Sequence, residues 1–211
     1  MNPVLAGILR FLAVIIVGYV LGSVPSGVLV GRIAGFGDPR TRGSGKTGAT
    51  NILRTMGPGA AAAVAVSDVL KGAIPVLLAH FLIFPGQPWA DVLAGFAAML
   101  GHNHSMFIRF SGGRGVATGA GASVAIQPVV LLLGLVAFIV PIATTRYVSL
   151  GSILGAASLA VIDAVFVATG HDNYPHLVFY VLTAVFIAYS HRDNIARLLN
   201  GTERKLGQKA T

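Results

Sequence analysis

The stretch VLAGILRFLAVIIVGYVLGSVPSGVLV, residues 4–30, decides the class of fold. Arg10 is its one charged residue, and its length exceeds the roughly 20 apolar residues that cross a bilayer core. A secretory signal would carry a shorter apolar run ending in a small-residue cleavage site, so this segment reads as a retained transmembrane helix. The rest of the chain repeats the pattern. Of 211 residues, 55% are hydrophobic and only 10% are charged, and the mean hydropathy of +0.78 belongs to an integral membrane protein rather than a soluble one. With no cysteine, neither disulfides nor thiolate metal sites are available.

Counting the first segment as 4–31, further apolar runs at 59–83, 90–107, 113–127, 129–145, 150–169 and 176–190 bring the expected spans to seven. Turn-forming or polar breaks separate them: FPGQPW (84–89), Gln127-Pro128, TTRY (144–147) and GHDNYP (170–175). Alternation across the bilayer puts loops 32–58, 108–115, 146–149 and 191–211 on one side. That side collects Arg32, Arg40, Arg42, Lys46, Arg54, Arg109, Arg114, Arg146, Arg192, Arg197, Arg204, Lys205 and Lys209. By the positive-inside rule it is cytoplasmic. The expectation is an all-α integral membrane protein with seven transmembrane helices, N-out and C-in, forming one polytopic unit over residues 1–211. The net charge of +8 then reports topology, not nucleic-acid binding. Lys71 is the exception, inside the second span and three residues from Asp68. An unpaired charge there costs about 2.5–3.5 kcal/mol even on insertion scales, so the two are expected to pair.

Four polar clusters fall on the basic side: RGSGKTGATNILR (42–54), GHNHSMFIRFSGGRG (101–115), RYVSLGS (146–152) and HRDN (191–194). In the first, Gly45-Lys46-Thr47 spells the end of a nucleotide-binding P-loop, but position 40 is Arg where that motif needs glycine, and no strand precedes it. What survives is an anion cradle: Gly43, Gly45 and Gly48 among Arg42, Lys46 and Arg54. Ser44 is a flexible donor or acceptor, Arg54 offers a guanidinium fork suited to phosphate, and Thr50 or Asn51 is placed to cap a short helix. Gly112, Gly113 and Gly115 around Arg114 would let backbone N–H groups approach an anion at a helix N-terminus, while the deeper Gly119 and Gly121 read as helix-packing positions. His191 and Asn194 are three apart and face the same way on a helix continuing from the last span. His102 and His104 have no carboxylate or second pair to complete a metal site, and His80 and His171, near the outer face, carry no expected role. The tail NGTERKLGQKAT (200–211) reads as a polar segment on the cytoplasmic surface.

These clusters, with GSVPSG (22–27) and DVLKG (68–72), resemble in order the bacterial acyl-phosphate-dependent glycerol-3-phosphate acyltransferases, over nearly the whole chain. The resemblance implies a seven-helix fold in the bacterial inner membrane with a cytoplasm-facing site. That site moves an acyl chain from acyl phosphate to the 1-hydroxyl of glycerol 3-phosphate, with no cofactor, metal or obligate protein partner. Carried over by residue, it implies catalytic roles for Ser44, Arg54, His191 and Asn194. Gly45, Lys46, Gly48, Asn51, His102, Asn103, Gly112, Gly113, Arg114, Gly115 and Ser149 become substrate-binding residues. Glu203, like Asp68 and Lys71, becomes structural. The chain departs from the family at Lys46, where asparagine is usual, and at Arg114, where lysine is usual.

Acyl phosphate is already activated, so positioning two anions and neutralising their charge supplies most of the catalysis, and a substrate phosphate oxygen or His191 takes the hydroxyl proton. An acyltransferase of the H-x4-D type is excluded, since none of the six histidines has aspartate five positions on. A membrane transporter or channel for a phosphorylated solute is the alternative, disfavoured by polar clusters at one face rather than the midplane and by the lack of a two-half repeat. An intramembrane serine protease built on Ser23, Ser26 and His80 lacks a histidine at matching depth.

Overall fold

The computed structural model describes residues 2–208, so Lys209, counted above with the cytoplasmic basic residues, lies outside the described part. Ten α-helices account for most of it, with no strand among the described residues. They are α1 (Pro3–Gly22), α2 (Ser26–Ile33), α3 (Ala49–Met56), α4 (Pro58–Leu78), α5 (Pro88–Asn103), α6 (Val116–Ile126), α7 (Pro128–Thr145), α8 (Val148–Ala168), α9 (Tyr174–Ser190) and α10 (Arg192–Leu199).

Helices α1 with α2, α4 with its extension to Ile83, α7 and α8 are long and apolar enough to cross a membrane. Helix α6 is not. Its 11 residues reach about 17 Å at 1.5 Å per residue, against a hydrocarbon core of about 30 Å. The expected first span, 4–31, is interrupted after Gly22, because Pro25 disfavours helical backbone at Val24 and the chain re-enters a helix only at Ser26. The expected third span, 90–107, ends at Asn103. The chain then turns through a short 3₁₀ segment, Met106–Ile108, with Arg109 and Phe110 in the left-handed region at φ 57° and 54°.

The side chains are arranged for a lipid solvent. Ile16, Leu132, Val161 and Val185 point outward and are at least 60% exposed, whereas Ser23, Asp68, Thr118, Ser123 and Asp163 are fully or almost fully buried. Small residues bring the helices together. A Cβ on Gly121 would run into the Val69 carbonyl, and one on Gly72 into that of Thr118, so α4 and α6 cross with their backbones nearly touching. This makes Gly121 the packing residue it was expected to be. The Asp68–Lys71 pair forms at 2.8 Å, with Lys71 Nζ also donating to the Val24 carbonyl at 2.9 Å, an acceptor freed by the break before Pro25.

At the opposite end, α4 runs into a π-helical turn, Ala79–Ile83. His80, which had no expected role, pairs there with Asp91 of α5 at 2.9 Å. His176 of α9 meets Asp172 at 2.7 Å. This polar network sits apart from the four clusters read from the sequence.

Candidate active site

The first loop is built around Asn51. Its Oδ1 accepts the Ser44 N–H at 2.9 Å, and its Nδ2 donates to the carbonyls of Pro39, Arg42 and Lys46 at 2.8–3.2 Å. The N–H groups of its amide are thus spent within the loop, and the side chain shapes the loop beside the cavity that it also lines. The helix-cap expectation for Thr50 or Asn51 is corrected: the N-cap of α3 is Gly48, with no side-chain cap. The Asn51 stitch forces Gly43 and Gly45 to φ 63° and 68°, a region an L-residue rarely adopts, and leaves Ser44 between them at the cavity. Gly48 is different. Its φ of −75° suits any residue and a Cβ there would meet nothing, so its glycine leaves open space in the cavity. Arg40 joins this loop to the second, ion-paired with Asp38 at 2.6 Å and donating through Nη1 to the Ile108 carbonyl and Ser111 Oγ.

In the second cluster the glycines wrap around His102. Gly113 N–H donates to the His102 carbonyl at 3.2 Å, and a Cβ on Gly113 would collide with the imidazole, 2.7 Å from Cε1 and 3.0 Å from Cδ2. A Cβ on Gly112 would strike the His102 carbonyl oxygen. Neither glycine has positive φ. Their side-chain hydrogens are thus demanded by packing on His102, where the sequence suggested room for a phosphate. Gly115 does adopt φ 81°, as the N-cap of α6. Asn103 Nδ2 donates to Ser190 Oγ at 2.9 Å, leaving its Oδ1 buried and unpartnered.

In the third region, α9 and α10 are separate helices that break at His191, correcting the expected continuous helix. His191 Nδ1 lies 2.8 Å from the Ile187 carbonyl. A carbonyl can only accept, so Nδ1 carries the hydrogen and Nε2 is left as an acceptor. Burial pushes the imidazole down to about 4; the Ile187 hydrogen bond opposes this and the neighbouring Arg114 charge adds to it. The tail is not a solvated strand. It folds back so that Glu203 Oε1 accepts from Ser149 Oγ (2.9 Å) and Asn194 Nδ2 (2.6 Å), while Oε2 accepts from Arg197 Nε (2.7 Å). Burial works against this carboxylate, but the three donors outweigh it and hold Glu203 below the usual range. The tail is secured further by the paired backbones of Arg146 and Leu206 and by Arg54 Nη2 donating to the Arg204 carbonyl at 3.1 Å. With Nδ2 committed to Glu203, Asn194 presents an unpartnered buried Oδ1.

These groups enclose two adjoining cavities. One, of about 370 Å³, extends among Leu131, Leu135, Phe138, Ala156 and Leu159 and ends at Ser44, Arg54, His102, Arg114, His191 and Asn194. The other, of about 270 Å³, is bounded by Lys46, Arg54, Arg114, Arg197 and Arg204 against Asp193 and Glu203. Arg54 and Arg114 belong to both, and the Nε of each is buried without a partner. Burial lowers both guanidiniums from their ordinary value, with Arg197 adding repulsion at Arg114, yet arginine stays charged in proteins. Two partly desolvated cations with spare donors form an anion site. Arg197 was counted only among the basic residues of its side, although its place three residues after Asn194, in HRDNIAR, is a helical-spacing signal. Among the described residues, no group of three or more His, Cys, Asp or Glu is arranged to hold a metal.

An all-helical membrane protein whose apolar cavity ends on half-buried arginines is built to hold an amphiphile with an anionic head. The chain belongs to the glycerol-3-phosphate acyltransferase family, whose model matches residues 12–201. It is 43% identical to the glycerol-3-phosphate acyltransferase of Clostridioides difficile, covering 96% of this chain and 98% of that one. With the enzyme of the same name from Rippkaea orientalis it shares 39% identity, covering 93% of each. Its fold matches the crystal structure of PlsY, an integral membrane glycerol 3-phosphate acyltransferase, in the glycerol 3-phosphate form, with a TM-score of 0.85 at 36% identity over 93% of this chain and 96% of that one. The lysophosphatidic acid form of PlsY matches with a TM-score of 0.82 at 34% identity, over 93% and 95% of the two chains.

Proposed function

We propose that this chain transfers the acyl group of an acyl phosphate to the 1-hydroxyl of sn-glycerol 3-phosphate, giving 1-acyl-glycerol 3-phosphate and inorganic phosphate. The reaction takes place at the cytoplasmic face of a bacterial inner membrane that the chain crosses seven times, N-out and C-in. The observation that carries this reading is the junction of the two cavities at Arg54 and Arg114: an apolar space for a chain meets a basic space for a small phosphate, and the reacting carbonyl belongs between them.

In this reading the acyl phosphate lies with its chain along Leu135, Phe138 and Leu159 and its phosphate on Arg54, Arg114 and the start of α6 at Gly115. Glycerol 3-phosphate enters beside Lys46 and Arg197. His191 Nε2 and Asn194 Oδ1, both acceptors, orient its hydroxyls, with Ser149 and Glu203 fixing the amide. The hydroxyl oxygen bonds to the carbonyl carbon, the bond from that carbon to the phosphate oxygen breaks, and the hydroxyl proton ends on phosphate. A substrate phosphate, with a second ionisation near pH 6, is a better proton acceptor at neutral pH than an imidazole held near 4. Ser44, beside the arginines, donates to the departing phosphate. The test is phosphate release by the purified protein from acyl phosphate. It should require glycerol 3-phosphate; release without it, or none with it, would sink the proposal.

A further inference from the structure

Asp68 is an unexpected residue to find at the wall of an anion site, because a buried carboxylate there repels what the site must hold. It is 1% exposed and lines the larger cavity. Its Oδ1 is a meeting point: Ser26 Oγ donates to it, Lys71 Nζ lies 2.8 Å away, and His102 Nδ1 faces it at 3.5 Å. Lys71 cancels the charge, so the carboxylate stays without opposing a phosphate. What remains is its contact with the imidazole, at ion-pair distance from an Nδ1 that is buried and makes no hydrogen bond. With Nδ1 directed at Asp68, the opposite edge of the His102 ring is the surface on which Gly113 lies, and the His102 carbonyl receives the Gly113 N–H.

We propose that Asp68 and Lys71 are positioning residues that act through His102, holding its imidazole as the seat of the Gly112–Gly113 turn and so setting where Arg114 and Gly115, which follow that turn, meet phosphate. This rests on the acyltransferase reading above. It also gives the bareness of Gly113 a cause distinct from access by the ligand: the methyl group of alanine would displace the imidazole before it met any substrate.

Two double-mutant cycles on the detergent-purified full chain test this, read as KM for acyl phosphate and for glycerol 3-phosphate separately from kcat. In the wild-type background, Gly113→Ala and Asp68→Asn are each expected to raise the KM of at least one phosphate substrate about tenfold. In a His102→Ala background, itself impaired in KM, each is expected to change KM less than twofold, since the group it acts through is gone. His102→Ser repeats both cycles with a small polar side chain in case the alanine variant fails to fold, and thermal midpoints identify folded preparations. Multiplicative losses in both backgrounds would overturn the proposal, as would an Asp68→Asn enzyme with a lowered thermal midpoint and unchanged KM. An inactive wild-type chain would instead overturn the acyltransferase reading, a different result from an active enzyme whose cycles are additive.

Discussion

Replacing His191 by asparagine separates two ways of moving the hydroxyl proton. His191 is 3% exposed, its Nδ1–H is given to the Ile187 carbonyl, and burial holds its pKa at about 4. At pH 7 about one free enzyme molecule in a thousand carries the imidazolium, so Nε2 is an acceptor with little affinity for a proton. If it only orients the hydroxyl, the asparagine amide recovers part of the contact. The loss in kcat/KM for glycerol 3-phosphate is then that of one neutral hydrogen bond, about 0.5–1.5 kcal/mol or roughly 2–13-fold. If it is the general base, the loss falls in the range of about 10²–10⁴. His191→Ala, with no side-chain acceptor, is expected to raise the acceptor KM and lower kcat beyond the asparagine variant. The assay is continuous phosphate release at saturating acyl phosphate with varied glycerol 3-phosphate, on preparations matched in thermal midpoint. An asparagine variant as inactive as the alanine one, with saturating acceptor restoring neither, would refute proton transfer to a substrate phosphate and make His191 the base.

The same depressed pKa sets a stability trend: between about pH 6.5 and 4 the unfolded chain binds a proton at His191 that the folded chain refuses, so stability falls as pH drops through that window. His191→Asn should flatten the thermal-midpoint profile there, and an unchanged profile would contradict the assignment. Gly48→Ala should fold with an unaltered thermal midpoint yet lose at least about tenfold in kcat/KM, its methyl entering the cavity, whereas Gly45→Ala, at φ 68°, should cost about 1 kcal/mol or more in stability. Single cysteines at Gly86 and Asn173 should label from outside the cell and ones at Thr41 and Gln208 should not; external labelling at Thr41 would reverse the topology. Activity should survive EDTA and proceed without ATP or acyl-CoA, and acyl-CoA serving as well as acyl phosphate would overturn the donor assignment.

The helices were legible because a bilayer demands long apolar runs and polar breaks, and the chain supplies both. Their ends were less so. Hydropathy does not register that Pro25 interrupts an apolar segment, nor that Leu100 to Phe107 holds the end of a helix and a loop. Within the candidate site, residues drawn from the separate basic and glycine-rich clusters, Ser44, Arg54, Arg114, His191 and Asn194, meet at one cavity. Their division of labour was hidden. Asn51 has the same composition signal whether it touches a ligand or stitches a loop, and Gly113 the same whether it faces a phosphate or an imidazole. The apolar cavity was invisible, since Leu135 and Leu159 look in sequence like the lipid-facing leucines beside them.

The tail that returns to the site has a consequence for how the protein is made. Arg54 reaches the Arg204 carbonyl across 150 residues of chain, and Glu203 closes on Ser149 and Asn194. At about 5–20 residues per second, the ribosome needs roughly 8–30 s to make the intervening stretch, during which Arg54 waits for a partner not yet synthesised. Every helix can be inserted while the nascent chain still lacks the carboxylate that orders Ser149, Asn194 and Arg197. Competence then arrives as a single late event, once Glu203 has been made and has folded back, rather than growing helix by helix.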